Sequence, residues 1–294
     1  MCFRKKISVI VPFYNGNVFL PRLFDSILGV SKVCENNKVD IEVIIVNDSP
    51  NIDVVLPENV LFPVKVVANP TNRGIQETRA NGVKHATGDW ILFLDQDDEL
   101  LADGFEKQLS LTESSDIVVG NGIYQYGEED RFIYPNEKVM RYVIREKIFI
   151  SIRNLIPSPG ACLIKKSVIP NEWLTQHLIN NGSDDWFLWI ILFNKKRKFV
   201  CNPQIVYKHN NAGGANLSLD LEKMFVSSWE MQKYLEKDKK YSRRKLNVLQ
   251  EAIKFKYYQD TKQLRLIKLV RYIRPFFNNC VYKIIWIACS KLYS

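Results

Sequence analysis

Three carboxylates fall within four residues at Asp95-Gln96-Asp97-Asp98, directly after the apolar run Trp90-Ile-Leu-Phe-Leu94. Side chains of like charge at this spacing repel one another. A hard divalent cation such as Mg2+ or Mn2+ reverses that, and phosphate oxygens would fill its remaining coordination positions. The chemistry implied is the holding of a metal-bound diphosphate. The same tetrapeptide also reads as an acidic, solvated turn between strand and loop. A second acidic pair, Asp184-Asp185, follows Ser183 and precedes the helical pattern Trp186, Trp189, Ile190 and Phe193. At its simplest that triplet is the N-terminal cap of a helix starting at Trp186, with carboxylates at the positive end of the dipole.

The elements that position these residues can be read from the chain. Trp90 to Leu94, bounded by Gly88 and by charge, is a short apolar strand of the kind buried in a parallel sheet. Ligands in open α/β sheets bind beyond the carboxyl ends of the strands, which is where the three aspartates fall. Upstream, Ile7-Ser-Val-Ile-Val11 is a β-branched strand stopped by Pro12, and Phe19, Leu20, Leu23, Ile27 and Leu28 follow at helical steps. Ile41 to Val46 is the next strand, ending in the turn-forming Asn47-Asp-Ser-Pro50, and Val64 to Val67 is the third. A helix over 74–86, interrupted by Gly82, leads back to Trp90. Alternating strands and helices predict right-handed crossovers and a mostly parallel sheet.

Beyond Glu99 a helix is expected through about Thr112, then a strand at Ile117 to Val119, and loop or hairpin over 120–140, marked by Gly120, Gly122, Gly127 and Pro135. Pro157-Ser-Pro-Gly160 breaks the chain before the apolar Ala161 to Ile164. Lys208 to Gly214 reads as a polar, glycine-rich loop, with a domain boundary just after it: 1–215 and 216–294.

The chain has 294 residues, 46% hydrophobic and 12% aromatic, enough to fill a sizeable core. Its formal charge of +9 is unevenly placed. Residues 216–294 hold seventeen Lys and Arg against seven Asp and Glu, a net +10, which leaves −1 for 1–215. The six cysteines form no C-x-x-C pair, which argues against a zinc site or disulfide framework and fits a reducing compartment. No run reaches the roughly 18–20 apolar residues of a membrane span, and the apolar run after Arg4-Lys-Lys6 is too short for a signal peptide, so the chain is expected in the cytosol.

From about Leu217 onward the pattern is helical and basic. Leu266, Leu269, Val270 and Ile273 share one face, Arg265, Lys268 and Arg271 the other, and Pro275 ends or kinks the helix. With Trp286 and further aromatics beyond, this region reads as a membrane-surface segment or as a helical cap packed on the rest of the chain. No nucleic-acid motif accompanies the charge, so nucleic acid is not expected as a partner.

Taken together and in order, Ile7-Ser-Val-Ile-Val-Pro-Phe-Tyr-Asn15, Val46-Asn-Asp-Ser49, Asn72-Arg-Gly74 with Arg79, and Ala86-Thr-Gly-Asp-Trp-Ile-Leu-Phe-Leu-Asp-Gln-Asp-Asp98 resemble the family-2 inverting glycosyltransferases of GT-A fold. The match is close over roughly the first 110 residues, and Asp184-Asp185-Trp186 extends it as the counterpart of the family's Glu-Asp-Trp element. The resemblance implies an α/β, Rossmann-like mixed sheet, mostly parallel and flanked by helices, with a basic helical extension at the C-terminus.

It also implies roles. Pro12 and Tyr14 would lie along the nucleotide, and Asp48 would accept a hydrogen bond from the uracil N3–H, which cytosine lacks. Arg79 would reach the nucleotide or its diphosphate, although Ala80 stands where Asn is common in the family. Asp95 and Asp97 match the Asp-x-Asp element, with Asp97 the direct ligand of Mn2+ or Mg2+ and Asp95 at the ribose or a metal-bound water. Asp98 would hold the metal's outer contacts or touch the donor sugar, and His209, expected in a loop after an apolar strand, would be a third metal ligand. Asp185 would be the general base. Asp184 replaces the usual Glu and shortens any acceptor contact, while Trp186, Trp189, Pro159 and Gly160 would line the acceptor pocket, Trp189 reading equally well as core.

The activity implied is inverting transfer of a hexose, Glc or Gal favoured, from a UDP-sugar to a lipid-diphosphate-linked sugar in surface polysaccharide (O-antigen or capsule) biosynthesis, peripheral on the cytoplasmic face of the inner membrane. A soluble or protein acceptor, or nucleotide-sugar binding without turnover, are the alternatives.

Overall fold

The structure, a computed structural model, describes residues 4–126, 129–210, 220–264 and 270–290. The chain divides into two compact units: Met1–Ile133, Ser158–His177 and Arg197–Gly213 form the first, and Tyr134–Pro157, Leu178–Lys196 and Gly214–Ser294 the second.

All nine strands among the described residues lie in the first unit. The β-branched runs become β1 (Lys5–Phe13), β2 (Val39–Asn47), β3 (Val64–Ala68) and β4 (Trp90–Phe93), and they pair in parallel. Val9, Ile10 and Val11 of β1 are fully buried, as are Val43 and Ile45 of β2, because helices cover both faces of a parallel sheet. The sheet continues through β5 (Glu99–Leu100), β6 (Ile117–Tyr126), β7 (Glu129–Phe132), β8 (Cys162–Lys165) and β9 (Phe199–His209) in the order β3-β2-β1-β4-β8-β6-β9-β5, with β7 on β6. Strand β8 runs antiparallel to β4 and β6, while β9 runs parallel to β6, so the sheet is mixed but mostly parallel.

Helices α1 (Leu20–Asn36), α2 (Ile75–His85), α3 (Phe105–Ser110) and, after the second unit's α4 (Glu137–Val143) and α5 (Glu146–Ile152), α6 (Asn171–Thr175) flank it. Gly82 does not interrupt α2. A Cβ there would run into Ile10 Cγ2, so the glycine lets α2 lie directly on β1. Below the sheet's functional edge, Glu42 knits β2, β1 and the approach to β4 together. It accepts from Ser8 Oγ (2.6 Å), Thr87 N (2.7 Å) and Thr87 Oγ1 (2.9 Å), and pairs with Lys6 Nζ (2.7 Å).

Several expectations are corrected. No helix follows Glu99 directly: β5 comes first, antiparallel to β9, and α3 is short. Of the two readings of 120–140, loop or hairpin, the hairpin holds: β6 continues through Gly120 and Gly122 and returns in β7, and the chain then enters α4; Gly127 lies outside the described residues. His209 is the last residue of β9, not part of a loop.

The second unit is helical, adding α7 (Asp184–Asn194), α8 (Leu221–Lys237), α9 (Arg243–Asp260) and α10 (Ile273–Ser290) to α4 and α5. Helix α7 starts two residues before the expected Trp186. Trp189, Leu192, Met231, Leu235, Leu249 and Phe255 are among the second unit's buried side chains; burying a side chain of this size contributes about 1.5–3 kcal/mol relative to exposure. Glu146 of α5 pairs with Lys196 at 3.1 Å and with Lys245 of α9. Pro275 stands in the first turn of α10, where its missing N–H leaves no helical bond unmade. The loop residues 211–214, the boundary at 215/216, Leu217, Arg265, Leu266, Lys268 and Leu269 lie outside the described residues. No helix among the described residues is long and apolar enough to cross a membrane.

Candidate active site

Three strand ends meet at one edge of the first unit. The parallel registers set Phe13 beside Asn47 and Ile10 beside Phe93, so the residues that follow β1, β2 and β4 emerge together. Those residues are Tyr14, Asp48 and the Asp95–Asp98 turn.

Past Pro12, which is buried in β1, the chain leaves the sheet at Tyr14, whose ring is 54% exposed. Asn15 adopts φ 51°, a left-handed conformation that Asn tolerates, and its N–H donates to Ser49 Oγ at 3.0 Å. The carboxamide of Gln96 clamps this loop to the acidic turn. Tyr14 N donates to Gln96 Oε1 at 2.9 Å, and Gln96 Nε2 donates back to Tyr14 O at 3.0 Å. A side chain at Gly16 would collide with the same carboxamide.

Asp48 is buried and accepts three hydrogen bonds. Asn69 Nδ2 (2.8 Å) and Arg73 N (2.7 Å) reach Oδ1, and Gly74 N (2.9 Å) reaches Oδ2. A carboxylate has about four acceptor directions, so one on Oδ2 is left for a ligand. Asp48 therefore shapes the 72–74 loop, which leads into α2 with Gly74 at φ 79°.

From α2 the buried Arg79 donates to Asp95 Oδ1 at 2.5 Å, with its guanidinium 5.9 Å from the Phe93 ring. The turn itself closes through Asp98 N to Asp95 O at 3.1 Å. Arg22 of α1 donates to Asp97 O at 2.7 Å, and Asn210 Nδ2 to the same carbonyl at 3.0 Å. No side chain among the described residues donates to the Asp97 carboxylate. Burial first, then the charges of Asp98 and Asp95, push its pKa up to about 6.

Asp98 is fully buried. It accepts from Tyr207 Oη and from Asn210 N (3.1 Å), and His209 Nδ1 lies 3.1 Å from its Oδ1. Burial raises the Asp98 pKa, although His209 and Tyr207 oppose it. Burial alone would lower that of His209; the bond to Asp98 and the charges of Asp98, Asp97 and Asp95 raise it instead. A ring whose Nδ1 side faces a carboxylate presents Nε2 outward, the arrangement that orients metal-binding histidines. The Tyr124 ring stands edge-on to the His209 ring, 5.3 Å between centroids.

The donor set of this edge suits a hard cation. Asp95 and Asp97 lie in one half-buried turn, balanced among the described residues by Arg79 and His209. The described residues contain no group of three His, Cys, Asp or Glu side chains already gathered about one point. Mg2+ sites of this kind use one or two carboxylates and draw their other ligands from substrate phosphates and water, so a preformed cage is not required.

In the second unit, Asp185 stands in the first turn of α7. Its Oδ2 accepts from Asn154 Nδ2 at 2.8 Å and its Oδ1 from Trp186 N at 2.6 Å. Ser183, the N-cap, makes no side-chain capping bond; its Oγ meets Ser228 Oγ at 2.9 Å and its N–H donates to Ser227 Oγ at 3.1 Å, both on α8. Helix α8 thus anchors the turn that carries Asp185. Asp184 is buried, and Trp189 is core with no exposed surface. Trp186 is also buried, and its indole Nε1–H has no hydrogen-bond partner among the described residues. Pro159 and Gly160 are buried in a short 3-10 turn of the first unit, where Ser158 Oγ accepts from Gly160 N at 3.0 Å.

Sequence reasoning missed Gln96, Arg22, Tyr207, Asn210, Asn69 and Asn154. Each acts through a partner distant in the chain or through the backbone, which leaves no local signal in the sequence.

A family model described as glycosyl transferase family 2 matches residues 8–172 of this chain. An uncharacterized glycosyltransferase of Rickettsia felis is 26% identical over 283 residues, 93% of this chain and 44% of the relative. The chain spans between about a third and about half of the length of the first curated relatives it matches. Among solved structures, S. aureus TarS 1-349 in complex with UDP-GlcNAc aligns with TM-score 0.61 and 16% identity, over 92% of this chain and 79% of that one. The mannosyltransferase PcManGT of Pyrobaculum calidifontis in complex with GDP-Man and Mn2+ aligns with TM-score 0.56 and 14% identity, over 87% and 70%. At these identities the structural likeness speaks for the GT-A fold.

Proposed function

The chain belongs to glycosyl transferase family 2, and from that premise we propose that it moves a hexose from a UDP-sugar, with inversion and with a divalent cation, onto a lipid-diphosphate-linked sugar. The observation that carries the reading is the Asp95–Asp98 turn at the carboxyl edge of the parallel sheet, tied to the Tyr14 loop by Gln96 and to α2 by Arg79. Structural neighbours holding UDP-GlcNAc, or GDP-Man with Mn2+, support a nucleotide-sugar donor and a metal.

In this reading the Tyr14 ring lies along the base, and Asp48 offers its remaining acceptor direction to the uracil N3–H. Asp97, Asp95 and His209 Nε2 would hold Mg2+ or Mn2+, with Asp98 fixing His209. The bound cation supplies the charge that stabilises diphosphate as a leaving group. Arg79 holds Asp95 in place. Asp185, oriented by Asn154 and by the Trp186 amide, takes the proton of the acceptor hydroxyl as that oxygen attacks the anomeric carbon and the diphosphate departs from the opposite face. Asp184 and Trp186 stand on either side of the base in the first turn of α7.

Residues 1–215 would then serve as the nucleotide-sugar domain. The basic 216–294 region would bring the enzyme to the cytoplasmic face of a membrane that carries the acceptor, in surface-polysaccharide assembly.

The test is UDP release from a panel of UDP-sugars with Mn2+ or Mg2+, with and without a synthetic GlcNAc-diphosphate-lipid. Release from one donor, stimulated by that acceptor, is expected. Slow release indifferent to the acceptor would remove the lipid-linked acceptor, and bound UDP with no release would remove turnover.

A further inference from the structure

The +10 excess of residues 216–294 does not fall on one uniform surface. Helices α8 and α9 turn Met231, Leu235, Leu249, Ile253 and Phe255 into the second unit's core. Helix α10 behaves differently. It buries Pro275, Asn279, Tyr282 and Cys289, while Ile273 (65%), Phe277 (65%), Ile284 (66%) and Ile287 (52%) stand exposed.

At about 100° per residue these four side chains fall within roughly 80° of one another, a single stripe along about 20 Å of helix. Arg274 lies on one side of the stripe, exposed and 3.9 Å from Glu251 of α9, and the exposed Lys283 lies on the other; α10 itself contains no acidic residue. An apolar stripe of aromatic and branched residues between cations is poorly matched to water. It matches the boundary between acyl chains and anionic headgroups, into which an interfacial helix lowers its apolar face while Arg and Lys reach the phosphates.

We propose that α10 docks on an anionic lipid surface through Ile273, Phe277, Ile284 and Ile287, with Arg274 and Lys283 contacting headgroup phosphates. This deepens the reading that the 216–294 region meets a membrane and rests on it, but it does not depend on the identity of donor or acceptor. A second copy of the chain is disfavoured as occupant because the cations flanking the stripe would face their own kind across a symmetric contact. The helix is also too polar to span a bilayer.

The experiment is flotation of the 294-residue chain with vesicles of phosphatidylcholine, alone or with phosphatidylglycerol, at low and high salt. Wild type should bind the anionic vesicles and lose binding as salt rises. Phe277→Glu with Ile284→Glu should weaken that binding on the order of ten-fold or more. Both positions are exposed, so the thermal melt and UDP binding should not move. Arg274→Gln with Lys283→Gln, which keeps the apolar stripe, should bind anionic vesicles less tightly and with a shallower salt dependence.

Binding by wild type that the Phe277/Ile284 pair leaves intact would overturn α10 as the docking face while sparing membrane contact elsewhere in the region. No binding by wild type to any vesicle would overturn the membrane reading itself. A wild-type dimer that the same pair converts to monomer, without vesicle binding by either, would make the stripe a contact between copies and also overturn the proposal.

Discussion

Asp48→Asn changes one atom and separates two roles for the same side chain. The carboxylate accepts from Asn69 Nδ2, Arg73 N and Gly74 N in the folded chain. An amide at this position can keep its oxygen toward Asn69 and Arg73 only by turning its NH2 group toward Gly74 N–H, donor against donor. A hydrogen bond to a buried carboxylate contributes about 1.5–3 kcal/mol. Gly74 N also reaches Asn72 Oδ1 at 3.1 Å, so it is not left bare and the loss sits near the low end, about 2 kcal/mol. For a chain of 294 residues that corresponds to a fall in Tm of about 3 °C. The only acceptor direction left for a base is lost at the same oxygen, so the Kd for UDP should rise about ten-fold or more, equivalent to about 1.4 kcal/mol, and the preference for UDP over CDP should shrink. Differential scanning fluorimetry and titration calorimetry with both nucleotides read the two effects. An unchanged Tm would refute the bonding scheme around Asp48, and a lowered Tm with unchanged UDP and CDP affinities would refute its contact with the base.

Three further outcomes are expected. Gln96→Leu removes both bonds to the Tyr14 backbone, at about 0.5–1.5 kcal/mol each, and should weaken UDP binding by roughly ten-fold with little change in the melt; equal UDP affinity in calorimetry would make the clamp incidental. Asp185→Asn should leave UDP affinity near that of wild type while acceptor-dependent turnover falls by about three orders of magnitude or more, and a mild rate effect would place the base elsewhere. Burial of Glu42 opposes its ionisation, but the bonds from Lys6, Ser8 and Thr87 outweigh this and hold its pKa at about 2, below the ordinary 4.5 of a glutamate. Its contribution is therefore present above about pH 4.5 and lost as pH falls through about 2, worth about 1 kcal/mol once discounted for solvent screening. Glu42→Gln should melt lower at neutral pH and show a flatter decline across that window; parallel acid profiles for the two proteins would contradict the assignment.

How much was legible in the chain follows from what each residue must do locally. Strands β1, β2 and β4 announced themselves because a buried parallel strand is a run of apolar residues, whichever sequence surrounds it. The carboxylates at their ends were visible because three like charges in four residues are costly without a purpose. Strand β9 was read too short, since its last residues, Lys208 and His209, are polar where the strand runs out at the functional edge. The short β5 has too few residues for any period to emerge. Gln96 and Arg22 were invisible because their partners, Tyr14 and Asp97, lie 82 and 75 residues away and are met through the backbone. In the basic C-terminal stretch, amphipathicity alone did not separate α9, whose apolar side is packed, from α10, whose apolar stripe is open. Only the fold could tell the two apart.

The central claim is that the Asp95–Asp98 turn is a metal-dependent nucleotide-diphosphate site. Calorimetric titration of UDP into the wild-type chain and Asp97→Ala, each in Mn2+ and in EDTA, tests it most directly. The expected result is UDP binding by wild type that depends on Mn2+ and is lost in EDTA and in Asp97→Ala. UDP binding of equal strength in EDTA, or in Asp97→Ala with Mn2+, would contradict it.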